Sequence, residues 1–296
     1  MVVKLNYKIL SGVLLMLMLV LLLPLSITNK DIPTDITVSS EKEVVYLPII
    51  MYHEVKPFKT GKDVITPEEF ENDLKYLAKN GYTTITMTEL IDYVYNEDEL
   101  CAKPIILSFD DGYLNNYKYV LPLLKKYHAK IVLSIIGKNT DDFTRILDNN
   151  LDYSHVTWDQ LNEMIDSGHV EVQNHTYNLH SLTTNRQGCK EMPGESLWHY
   201  EQAMTEDIGK FQEQITLMTG ETPNTFAYPY GRKSKNTDLV LKKLGFKATL
   251  SCLYGMNLIT HDPEDLFGLR RICRSHGQNM GKVIAGGMET LKYRKT

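Results

Sequence analysis

The chain has 296 residues, 43% hydrophobic and 23% charged, with a formal net charge of −5. That is enough apolar chain to bury a sizeable core, which excludes a disordered or disulfide-stapled mini-fold. No basic excess or Lys/Arg block points to nucleic acid, and nothing implies a protein partner.

Ile9 to Ile27 runs without a charge, and Lys4 and Lys8 precede it. About 20 apolar residues span a bilayer, and basic residues on the short flank favour keeping that flank in the cytoplasm. The run exceeds the h-region of a cleaved signal peptide, and no A-x-A site follows it. The expectation is an uncleaved signal anchor in residues 1–28, a polar stalk over 29–46, and one extracytoplasmic domain over 47–296. The location is then the cell membrane, single-pass, or secreted if the segment is cleaved.

Beyond the stalk, short β-rich runs alternate with amphipathic helices. YLPIIMYH (46–53) is the first strand candidate. A helix follows from Pro67, with Thr66 and Glu69 forming a capping box. TTITM, a helix near 88–95, PIILSF and a helix near 113–127 interrupted at Pro122 come next. IVLSII precedes a helix with Thr157 as its cap and Gln160 closing another capping box. VEVQN, a long helix near 196–218, TFAY, a helix near 237–244, KATLSC and GLRRIC complete the series. About seven to eight strands separated by helices indicate an α/β fold with a parallel sheet. A distorted (β/α) barrel fits best, because the polar motifs fall just after strands, the end that carries active sites in barrels.

SFDDG (108–112) closes one such strand, and adjacent carboxylates need a turn, a cation or a reaction to offset their repulsion. A plain Asp-Gly turn is the simplest account of Asp110 and Asp111 alone. QNHTYNLH (173–180) follows another strand, with His175 and His180 five apart, unlike a helical i, i+4 zinc pair. His169, at the start of that strand, lies on the opposite rim and reads as structural. One carboxylate and two imidazoles leave an open position, the pattern of a catalytic zinc site. The same set could serve Fe(II), although the carboxylate and first His then usually lie close in sequence. FAYPYGRK (226–233) supplies a tight turn after a third strand. The four cysteines (Cys101, Cys189, Cys252, Cys273) form no CxxC pair and read as thiols; Cys252 and Cys273 end successive strands, leaving a bridge between them open.

SFDDG, HTYNLH and YPYG, in this order, resemble the first three motifs of the polysaccharide deacetylases of carbohydrate esterase family 4, the NodB homology domain. The resemblance covers about residues 47–282 and is greatest to the bacterial poly-N-acetylglucosamine and cell-wall deacetylases. It implies a divalent metal, most often Zn²⁺, held by Asp111, His175 and His180, with Asp110 as catalytic base. Tyr230 would offer its backbone N–H to the oxyanion. Two positions depart from the family. The Arg that opens the third motif and steadies the base is Ala227 here, and Arg271 is the candidate to fill that space, grouped with Tyr230 on the substrate side. The family's late Leu-x-His is not evident around His276, so His53, in MYH, becomes the candidate general acid, as in the poly-N-acetylglucosamine branch. The implied reaction is N-deacetylation of an N-acetylglucosamine polymer. Rival readings are removal of O-acetyl esters and a glycan-binding barrel that has lost its chemistry, the latter supported by Ala227.

Overall fold

The computed structural model describes residues 44–182 and 185–293. The signal-anchor segment, most of the stalk and the extreme C-terminus lie outside them. Among the described residues, no helix is long and apolar enough to cross a membrane.

Seven parallel strands close into a barrel. They are β1 (Ile49–Tyr52), β2 (Pro104–Asp111), β3 (Ile131–Ile135), β4 (Val170–Asn174), β5 (Thr225–Ala227), β6 (Ala248–Tyr254) and β7 (Leu269–Cys273). Each pairs with its neighbours in sequence, and β7 closes the ring on β1 through Ile272↔Ile50. The first strand candidate divides at Pro48, which has no N–H for a ladder. Val45–Leu47 instead pairs antiparallel with Asn257–Ile259, outside the barrel. TTITM contributes only Thr83–Thr84, an appendix to the start of β2.

Period two along these strands separates two apolar layers. Ile50, Leu107, Ile131 and Leu133 pack outward with Leu74, Leu77, Leu124 and Leu161 of the surrounding helices. Ile49, Ile106, Val132, Ala248, Leu250 and Leu269 face the lumen, where they join Met87, Leu90 and Ile91 of the helix Met87–Asn96. That helix covers the N-terminal mouth, its first N–H groups donating to the Glu171 carboxylate on β4 at 3.0 and 3.1 Å. Both predicted capping boxes form, on Pro67–Lys79 and Trp158–Asp166. The alternation also decides what lines the lumen at the C-terminal end. In register, Ile49 and Met51 lie opposite Ile106 and Ser108, so His53 and Asp110 continue the same inward row. Leu250↔Leu269, Asp110↔Ser134 and Ser134↔Gln173 extend it to Arg271 and His175.

Candidate active site

Asp110 is the last inward residue of β2 and is 2% exposed. A buried carboxylate needs a partner, and it has a bidentate one. Arg271 Nη1 donates to Oδ1 at 2.7 Å and Nη2 to Oδ2 at 2.8 Å. Burial pushes this carboxyl up, but the bidentate Arg271 guanidinium outweighs it and holds Asp110 well below the usual carboxylate range. Arg271 also donates to Ser108 Oγ, the Ser251 carbonyl and Cys252 Sγ, which occupies its remaining N–H groups. At 1% exposure it stands behind Asp110, with its N–H groups committed to protein acceptors. The charge missing at Ala227 thus comes from the last barrel strand.

Asp111, the next residue, has the opposite setting. Its φ is +73°, a left-handed conformation that breaks the strand and turns its side chain away from its neighbour's. Gly112 follows at φ +78°, and a Cβ there would lie 2.9 Å from Ile135 Cγ2, so the turn accepts only glycine. Asp111 Oδ1 lies 3.5 Å from His175 Nε2 and 3.3 Å from His180 Nε2, and it is buried without a hydrogen-bond partner. Burial, reinforced by the Asp110 charge, pushes the Asp111 carboxyl up to about 7.

His175 follows β4, with Nδ1 donating to the Ala227 carbonyl at 2.8 Å, which leaves the Nε2 lone pair aimed at Asp111. Burial pushes this imidazole down to about 3, so it is neutral and fit to be a ligand. A sharp loop returns the chain to His180. Thr176 has φ +73°, its N–H donates to Asn174 Oδ1, and its Oγ1 accepts from the Leu179 N–H. Asp207 accepts from the N–H groups of Tyr177 and Asn178 at 2.8 and 2.9 Å. No sequence signal singled out Asp207, which lies in a long helical segment far from the motif.

One donor atom from each of Asp111, His175 and His180 lies within 4.8 Å of the others. An unpartnered carboxylate oxygen facing two neutral imidazole nitrogens fits a divalent cation. Tyr230 crowns the site at φ +54°, its ring centroid 4.3 Å from that of His180, and the side chain is 45% exposed. Behind it, Gly231 packs so tightly on Cys252 that a Cβ would lie 2.9 Å from Cys252 Cβ. Three left-handed non-glycine residues, Asp111, Thr176 and Tyr230, therefore mark the three motif loops.

His53 lies one residue beyond the Tyr52↔Phe109 pair, level with Asp110. A positive charge on it would lower both aspartates. His276 instead pairs with Glu69 Oε2 at 2.8 Å near the outer helix Pro67–Lys79. His169 Nδ1 donates to the Ala129 carbonyl at the N-terminal end of the strands. All four cysteines are free thiols. A cavity of about 810 Å³ at that same end, lined by Tyr46, Tyr93 and His261 among others, contains none of these site residues.

A three-ligand cluster at the C-terminal end of barrel strands lies where enzymes of this architecture carry their active sites, and the comparisons supply the class. Residues 97–249 match the family model "Polysaccharide deacetylase". YxkH of Bacillus subtilis is 26% identical over 270 residues, covering 90% of this chain and 84% of that protein. The poly-β-1,6-N-acetyl-D-glucosamine N-deacetylase of Staphylococcus aureus is 24% identical over 264 residues, 83% of this chain and 85% of its own. Among solved structures, the Streptococcus pyogenes deacetylase PplD, in complex with acetate, superposes with a TM-score of 0.66 at 21% identity, covering 83% of this chain and 99% of that one. The chain belongs to the polysaccharide deacetylase family.

Proposed function

We propose that the protein removes N-acetyl groups from an extracellular polymer containing N-acetylglucosamine, peptidoglycan or poly-N-acetylglucosamine, releasing acetate. The observation that carries this reading is the contrast between neighbouring aspartates, one held ionised by Arg271 and the other unpartnered beside two imidazoles. The S. aureus relative, named as a poly-β-1,6-N-acetyl-D-glucosamine N-deacetylase, supports the choice of glycan.

Asp111, His175 and His180 would hold one divalent cation, Zn²⁺, which when bound supplies Lewis acidity and a water of lowered pKa. Asp110 accepts a proton from the attacking water, and its tether to Arg271 keeps it ionised and aimed inward. The Tyr230 N–H donates to the oxyanion that develops on the acetamide oxygen. His53 donates a proton to the departing nitrogen as the C–N bond breaks. The water oxygen leaves in acetate, and the polymer keeps a free amine.

Asp111→Ala, His175→Ala and His180→Ala are each expected to abolish acetate release from an N-acetylated oligosaccharide and to lower bound zinc. Elemental analysis beside the rate assay checks this; full zinc occupancy in all three variants would mean that other residues are the ligands.

The proposal extends to location. The uncharged Ile9–Ile27 run, outside the described residues, would anchor the enzyme with its catalytic domain beyond the membrane. Full-length protein should then resist high-salt and carbonate washing of membranes. A mature chain beginning between about residues 25 and 45, free in the medium, would favour cleavage instead.

A further inference from the structure

The ladder between β1 and β2 ends at Tyr52↔Phe109. His53 therefore sits just past the sheet, where the barrel no longer dictates the backbone. What holds the segment is a pair of asparagines, Asn115 and Asn116, three and four residues beyond Gly112 of the DDG turn. Asn116 Nδ2 donates to the His53 carbonyl at 3.0 Å. Asn115 Oδ1 accepts from the Val55 N–H at 3.1 Å, and Asn115 Nδ2 donates to Glu54 Oε2 at 2.9 Å. Three consecutive residues, 53 to 55, are thus gripped by two. Lys56 completes the clamp, its Nζ reaching the same Glu54 oxygen at 2.6 Å and Asp152 at 3.0 Å.

Both amides are buried, Asn115 at 1% and Asn116 at 0% exposure. Burying an amide is costly unless it is hydrogen-bonded, and here the bonds go to the backbone of the segment that carries His53, which an apolar side chain would leave without them. Asn116 opens a π-helical turn, Asn116–Val120, ahead of the helix Leu121–Tyr127. Such one-turn widenings are concentrated at functional sites, where they re-aim side chains. The base and this clamp lie on the same short stretch, so the Asp110 loop sets the position of His53 directly.

We infer that Asn115 and Asn116 are positioning residues for His53, setting its ring relative to Asp110 so that proton delivery to the leaving nitrogen is aligned. The inference rests on His53 as the general acid. A misplacement of about 1 Å can cost up to roughly 10²-fold in rate. Asn116→Ala in the full-length zinc enzyme is therefore expected to lower kcat on an N-acetylated oligosaccharide by roughly 10–10²-fold, with little change in KM. The loss on an aryl acetate, whose leaving group needs no proton, should be several times smaller.

The deciding measurement is the double-mutant cycle with His53→Ala, with zinc content and Tm recorded for each variant. If Asn116 acts through His53, adding Asn116→Ala to His53→Ala should cost less than about twofold more, because the group it positions is gone. An undiminished loss in that background, or an equal loss on both substrates from Asn116→Ala alone, would show a merely structural asparagine. Equal losses on both substrates from His53→Ala itself would overturn the general-acid reading and this inference with it, a result distinguishable from the other two. Should Asn116→Ala not fold, Asn115→Ala, which frees Val55 N–H, enters the same cycle with the same outcomes.

Discussion

Asp110→Asn is expected to lower deacetylation by roughly 10²–10⁴-fold, the usual worth of a positioned general base, while leaving the metal bound. The substitution keeps the side chain's size and removes its basicity. It also leaves Arg271 facing a neutral amide in a fully buried setting. Breaking a buried ion pair from one side typically costs about 3–5 kcal/mol, and the amide's one remaining acceptor should keep the loss toward the lower end. A thermal melt, a zinc determination and a rate assay together separate these effects. If Asp110→Asn loses its metal and Asp111→Asn keeps it, the two aspartates have exchanged roles.

Arg271→Met attacks the same pair from the other side and should be at least as damaging. Without the guanidinium, burial dominates and pushes the Asp110 carboxyl up. A general base works deprotonated, so the acidic limb of the pH–rate profile should move to higher pH, with the largest losses at low pH. Stability follows the same sign. In the natural chain the folded carboxyl lies below its unfolded value, so its contribution is present above the ordinary carboxylate range and is lost as pH falls below that range through the depressed folded value. In Arg271→Met that contribution should vanish, with a fall of about 3–5 kcal/mol near neutrality. Arg271→Lys keeps the charge without the fork and should fall between. An acidic limb that does not move in either variant would show that the base owes its ionisation to something other than Arg271.

The sequence announced the site more clearly than it announced the elements around it. SFDDG and HTYNLH each end a β-rich run, and together they supply one carboxylate and two imidazoles, more than a turn alone requires. The capping boxes were equally legible, because Thr66 and Thr157 act within one turn of chain. Two helices gave no such notice. Gly137–Ile146 is mostly polar and begins without a side-chain cap. Met280–Glu289 carries Gly286 and Gly287, which depress helix propensity, yet Gly287 lets the helix pack closely on the Ile272 side chain of β7, which a Cβ would displace. The Arg271–Asp110 pair spans 161 positions, and only the alternation of facing strands, once closed, places both side chains in one lumen. The asparagine clamp was visible as letters in YLNNY, but its meaning depends on where β1 stops.

Ring closure also has a kinetic side. Asp110 sits on the second strand and its counter-ion Arg271 on the last, which is also the strand that docks onto the first. Contacts this distant in sequence form late, because loop-closure entropy opposes them until the rest is in place. A refolding chain would gather Asp111, His175 and His180 before Asp110 has its counter-charge. Competence to hold metal and competence to turn over would therefore arrive separately, and a chain cut short before Leu269 would keep the first set of residues while lacking the second.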